Sequence, residues 1–145
     1  MNDYRWLVYA LLSALAASMV GIFGKIGMKD VDSTLATAVR SVVMTVFLAA
    51  VVLAMKLTPK LPTLSGKALT MIVLSGVAGA VSWLFYFKAI QVGTVSQVAP
   101  IDKLSMPLAV ILAVILLGDR PSGWNWMGIG LIVIGAYFAA WSPGK

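Results

Sequence analysis

Apolar residues run along this chain in five long stretches, separated by short polar segments. The stretches cover about Tyr4 to Phe23, Leu35 to Met55, Ala68 to Phe87, Val95 to Leu117, and Trp124 to Trp141. Each is close to the roughly 20 residues that a helix needs to cross a bilayer. An open sheet could not satisfy its backbone in lipid, so the spans are expected to be helical. The pattern predicts an all-α membrane protein with five transmembrane helices, forming a single domain over residues 1–145. Tyr4, Trp6, Trp124, Trp126 and Trp141 fall at span ends, where an aromatic belt would sit. TPKLP (Thr58 to Pro62) and DRPSG (Asp119 to Gly123) read as loops. The N-terminal stretch lacks a clean cleavage site after a short apolar core, and is read as a retained first span rather than a signal peptide.

Composition agrees with lipid as the solvent. The 145 residues are 61% hydrophobic and 11% charged, with a mean hydropathy of +0.98. A soluble domain of this size would carry far more charge. The net charge of +6 suggests nucleic acid only superficially, because the basic residues sit mostly in short loops and at helix ends, where anionic head groups are met. Nucleic acid is therefore not an expected partner. The chain has no Cys and no His, which removes disulfides, thiolate metal sites and Cys or His nucleophiles. With no paired carboxylates inside the spans either, neither an enzyme nor a cofactor is expected.

The fourth span breaks the apolar pattern. Asp102 and Lys103 lie side by side within it, bracketed by Pro100 and Pro107. Charges in a spanning helix are costly and normally face a protein interior or a watery cavity. Each proline removes an N–H and frees the carbonyl four residues back, here those of Ser96 and Lys103. Kinks at the two prolines are therefore expected, in a helix that walls a polar site. Arg40 lies about as far into the second span as Asp102 does into the fourth. Alternate spans run in the same direction, so both are expected on the order of 10 Å below one surface. Thr34, Thr37, Ser41 and Thr45 give the second span a polar stripe past Arg40.

Arg40, Asp102, Lys103 and Ser41 are thus candidate substrate-binding residues. Asp102 is the natural partner for Arg40, which leaves Lys103 to face a substrate. The same residues also suit a purely structural Arg40–Asp102 bridge, with Lys103 and Lys88 snorkelling to head groups. In SWLFYFK (Ser82 to Lys88), Trp83 and Tyr86 share a helix face and are candidates for an aromatic wall; a belt against lipid is the alternative. Gly128 and Gly135, seven apart in the last span, share a face suited to close helix approach, either in a dimer seam or within one subunit. Gly21, Gly24, Gly76 and Gly79 are expected to pack within the subunit.

Five spans place the termini on opposite sides. One side receives Arg5, Lys56, Lys60, Lys67 and Arg120, the other Lys25, Lys29, Lys88 and Lys145. Five against four hardly fixes an orientation by the positive-inside rule. The near-tie suits a weak bias that puts the Lys56, Lys60 and Lys67 loop in the cytoplasm, or copies inserted both ways, which would pair into an inverted-topology, ten-helix dimer, the architecture that many transporters carry within one chain.

The residues resemble a known family. FGKIGMKDVDSTLATAVRS (Phe23 to Ser41), LSGVAGAVSWLFYFKAIQVG (Leu74 to Gly93), VAPIDKLSMPLAVILAVILLGDR (Val98 to Arg120) and the closing WNWMGIGLIVIGAY are together similar to a single repeat of the EamA family in the drug/metabolite transporter superfamily. The likeness is to its short five-span bacterial and archaeal members. Asp119 stands where many relatives have Glu. The resemblance implies a small-molecule transporter of a bacterial or archaeal cytoplasmic membrane, often an exporter of amino acids, metabolites or toxic organic compounds. Full-length members carry two oppositely oriented repeats, so a lone repeat is expected to act as an antiparallel homodimer by alternating access. A non-transporting interaction subunit and a flippase for lipid-linked substrates are the competing readings.

Overall fold

The computed structural model describes residues 4–141, which contain helices and no strand. The helices are α1 (Arg5–Gly27), α2 (Ser33–Ala54), α3 (Gly66–Val92), α4 (Val95–Asp102), α5 (Ser105–Leu117) and α6 (Gly123–Ala140). With α4 and α5 counted as one interrupted stretch, five segments are long and apolar enough to cross a membrane. They match the five stretches in number and order, and the first and third run on beyond Phe23 and Phe87 to Gly27 and Val92. Lys145 of the charge tally lies outside the described residues.

Local chemistry sets the helix ends. Asp32 caps α2: its Oδ1 accepts the N–H groups of Thr34 at 2.8 Å and Leu35 at 3.1 Å, satisfying donors that the first turn leaves without partners. Ser122 caps α6 in a reciprocal box with Asn125. Gly118 ends α5 in the left-handed region at φ 73°, a conformation that costs any residue with a Cβ. α3 has 27 residues, about 40 Å at 1.5 Å per residue, against a hydrocarbon core of about 30 Å. Its ends therefore reach into the head-group layer, carrying Lys67 and Lys88.

Three expectations need correction. TPKLP is not plain loop but lies in a 3-10 helix over Thr58–Thr63; Pro59 fits its first turn, where a missing N–H costs nothing. The fourth span breaks at Lys103, the carbonyl that Pro107 is expected to free, and no helix break falls at Pro100. Pro100 sits inside α4, and the interruption falls between the two prolines, at Lys103 and Leu104. Pro107 has no N–H for the Lys103 carbonyl, and the N–H of Met106 donates to it instead at 3.0 Å, closing a tighter turn. A Cβ at Gly76 or Gly79 would meet nothing within 4 Å among residues 23–91, so the packing expected of them is not made there, whereas Gly24 lies against Phe87.

The described residues form two compact units, one of Phe23–Gln91 and the other of residues 4–22 with 92–141. In the first, Met28, Ser33, Thr37, Phe87 and Ile90 are buried. In the second, α6 packs against α4 and α5. Most other large apolar side chains face outward, which in water would be a liability and in lipid is the expected arrangement.

Candidate functional site

The Phe23–Gln91 unit holds Arg40, Trp83, Tyr86 and Ser41. Arg40 comes from α2, and Trp83, Tyr86 and Phe87 come from α3. The guanidinium carbon of Arg40 stands 3.6 Å from the centroid of the Trp83 ring and 5.4 Å from that of Phe87. Within this unit, the charge expected to meet a carboxylate meets a π face. Such a contact is worth about 2 kcal/mol or more when desolvated.

The rings beneath it brace one another. Trp83 meets Tyr86 edge to face, with centroids 5.6 Å apart at 84°, and Tyr86 meets Phe87 at 5.8 Å and 88°. Trp83 and Phe87, one helical turn apart, are 5.6 Å apart and tilted by 37°. Phe87 is 2% exposed, so the platform is anchored from below. A π contact engages the face of a guanidinium and leaves its N–H edges able to form the paired hydrogen bonds that carboxylates accept.

The polar stripe on α2 is largely self-satisfied. Thr37 Oγ1 donates to the Ser33 carbonyl at 2.7 Å, Ser41 Oγ to that of Thr37 at 2.9 Å, and Thr45 Oγ1 to that of Ser41 at 2.9 Å. Ser41 is exposed and has spent its proton, so what it offers a ligand is an acceptor lone pair.

At one end of this unit, Lys25 Nζ donates to the carbonyls of Ile90, at 2.5 Å, and Gln91, at 3.4 Å. The ammonium thus sits on the negative end of α3. Gln91 Nε2 donates to the Val31 carbonyl at 3.0 Å, tying α3 to the α1–α2 turn. Beside them Lys25, Met28, Lys29 and Gln91 line a cavity of about 230 Å³. In the same turn, the N–H groups of Leu35 and Thr34 hold the Asp32 carboxyl below its ordinary value near 3.8.

The other unit holds Asp102 and Lys103, which flank the interruption of the fourth span. Lys103 Nζ lies 3.3 Å from Asp102 Oδ2, so the lysine expected to be left over takes the neighbouring carboxylate. Both side chains keep access to a ligand, Lys103 with 55% of its side chain exposed and Asp102 with 32%. A Cβ at Gly128 or Gly135 on α6 would meet nothing within 4 Å among the described residues of this unit, so these glycines make no close approach within it.

The aromatic cluster and Arg40 were each visible in the sequence, but their pairing was not. Phe87, passed over for Trp83 and Tyr86, is the buried anchor; its i, i+4 spacing from Trp83 is the signal for a shared face. Lys25 and Gln91 as ties to α3 were missed, because backbone carbonyls leave no mark in a side-chain pattern.

Comparison with known proteins identifies the family of the chain. An uncharacterized transporter in the cobO 3' region of Sinorhizobium sp is 38% identical over 135 residues, which cover 93% of this chain and 96% of that protein. No solved structure matches. The model of the EamA-like transporter family matches residues 4–141. A multi-pass chain matched over nearly its whole length, with its motifs in order across five spans, belongs to the EamA-like transporter family.

Proposed function

We propose that this membrane transporter carries small carboxylate-bearing molecules, amino acids among them, out across the cytoplasmic membrane of a bacterium or archaeon, and that Arg40 receives the carboxylate. The observation that carries this reading is the guanidinium held 3.6 Å over Trp83. A cation at this depth is costly, and the π face steadies its charge without using its hydrogen-bond donors. Trp83 and Tyr86 supply a wall for an apolar side chain or a toxic organic compound. Asp102 and Lys103 are further substrate contacts, suited to an ammonium and a second anionic group.

The working unit in this proposal is an antiparallel homodimer, in which rocking of one copy against the other gives alternating access. The open face of α6 at Gly128 and Gly135 supports a seam there. The test is exchange of labelled amino acids and other organic acids by the purified protein in proteoliposomes. Arg40→Ala is expected to reduce exchange by about tenfold or more, the equivalent of one charge-assisted contact of at least ~1.4 kcal/mol. Arg40→Lys should restore only part, since an ammonium lacks the planar fork. Exchange that survives Arg40→Ala unchanged overturns the assignment. An interaction subunit would show no exchange in the parent protein either.

A further inference from the structure

We propose that the cleft at the α5–α6 connection is a binding site for the head group of a zwitterionic phospholipid with a primary ammonium, a phosphatidylethanolamine. This site is separate from the Arg40 site and does not depend on that reading. The cleft has a volume of about 430 Å³ and is lined by Val110, Asp119, Arg120, Pro121, Asn125 and Ile129. That volume lies within the range typical of small-molecule pockets. It far exceeds the roughly 30 Å³ that one water occupies in the liquid.

The polar lining offers both signs of charge. Asp119 presents a carboxylate and Arg120 a guanidinium, and neither side chain is bonded to another described residue of its unit. Asn125 adds a donor: its Oδ1 is occupied by the N–H of Ser122 at 3.0 Å and the hydroxyl of Ser122 at 2.5 Å, which turns the amide N–H groups away from the cap. An ammonium can donate to Asp119 while a phosphate accepts from Arg120 and Asn125. A purely anionic head group would face Asp119, and a purely cationic one would face Arg120. A trimethylammonium has no N–H to give the carboxylate. An ammonium and a phosphate on a short tether fit every polar group.

The position selects the lipid as the source. The connection lies between two spanning segments, Val95–Leu117 and Gly123–Ala140, so it falls where head groups sit. Leu116, Leu117 and Trp124 beside it are 73%, 77% and 79% exposed. They offer acyl chains an apolar surface near the connection, and tryptophan favours this interface.

The test is lipid retention by the full-length protein, measured by native mass spectrometry from micelles doped equally with phosphatidylethanolamine, phosphatidylcholine and phosphatidylglycerol. The parent protein should retain phosphatidylethanolamine over the other two by about tenfold, as one to two charge-assisted contacts imply. Asp119→Asn should abolish its advantage over phosphatidylglycerol. Arg120→Gln should weaken retention of both. Equal retention of all three lipids by the parent protein would overturn the proposal. So would an unchanged preference in the double variant, or displacement of the lipid by soluble phosphoethanolamine, which would make the free zwitterion the ligand. Should Asp119→Asn fail to fold, Arg120→Gln alone decides, since its exposed side chain is bonded to nothing in its unit; undiminished phosphatidylethanolamine retention there refutes the site.

Discussion

Placing a single methyl group on α1 tests whether the aromatic platform is as closely built as its geometry indicates. A Cβ at Gly24 would lie 2.4 Å from Phe87 Cε1, 3.1 Å from Cζ and 3.4 Å from Cδ1. Favourable carbon–carbon contact begins near 3.5 Å, so the ring edge would have to retreat by roughly 1 Å. An exposed side chain could do so cheaply. Phe87 cannot, because it is 2% exposed, has only two side-chain torsions and is wedged against Trp83 and Tyr86. Overpacking of this kind costs about 1–3 kcal/mol, against a helix-propensity gain of up to about 1 kcal/mol for Gly→Ala. The clean comparison is Gly76→Ala, where the new methyl meets nothing within 4 Å and only the propensity gain applies. Thermal unfolding of both variants in one detergent, followed by tryptophan fluorescence, should place Gly24→Ala below Gly76→Ala by about 1–3 kcal/mol. Phe87→Leu, which removes the opposing ring edge, should erase most of that gap in a double-mutant cycle. Equal stability of the two alanine variants, with no coupling to position 87, would refute the reasoning and with it the buried anchor for Arg40.

Lys25→Met keeps the length of the side chain but removes the ammonium that serves the Ile90 and Gln91 carbonyls; the loss should be about 1–2 kcal/mol, read as a lower unfolding temperature and faster amide exchange in the last turn of α3. The Asp32 carboxyl is held below its ordinary value by the Leu35 and Thr34 N–H groups, so its contribution to the start of α2 is complete above about pH 4 and is lost as pH falls through the lowered folded-state value. Unfolding temperature should therefore fall on acidification below pH 4 in the parent protein and fall less in Asp32→Asn; parallel curves would show that the cap does not matter.

What the sequence displayed, and what it hid, follows from which interactions leave a periodic trace. Five spans are a matter of apolar length, and length is written directly in the residues. The interruption of the fourth span was announced by its prolines, and its position at Lys103 follows from the carbonyl that Pro107 leaves without a partner. Pro107 withholds its N–H from Lys103, so the hydrogen-bond ladder fails four residues before it rather than at the ring itself. Arg40 stood out as a charge inside a span, and a carboxylate was the partner that charge alone suggests. Its observed neighbour is a tryptophan on another helix, and no one-dimensional pattern pairs residues 40 and 83. The glycines divide for the same reason: Gly24 and Gly76 look alike in the sequence, and only the neighbour across the gap separates them.

The small interior has a consequence for how such a chain can diverge. Met28, Phe87, Ile90 and Ala136 are buried, with Gly21 and Pro107, while dozens of large apolar side chains face outward. A lipid tail has no fixed shape to complement, so Leu, Ile, Val, Met and Phe can replace one another on that surface with little loss, provided the span stays apolar. Substitution is free in kind but not in polarity. A relative can differ at most positions, as the Sinorhizobium protein does at 38% identity, and shared ancestry will be easier to recognise from hydropathy profile than from identity along the spans.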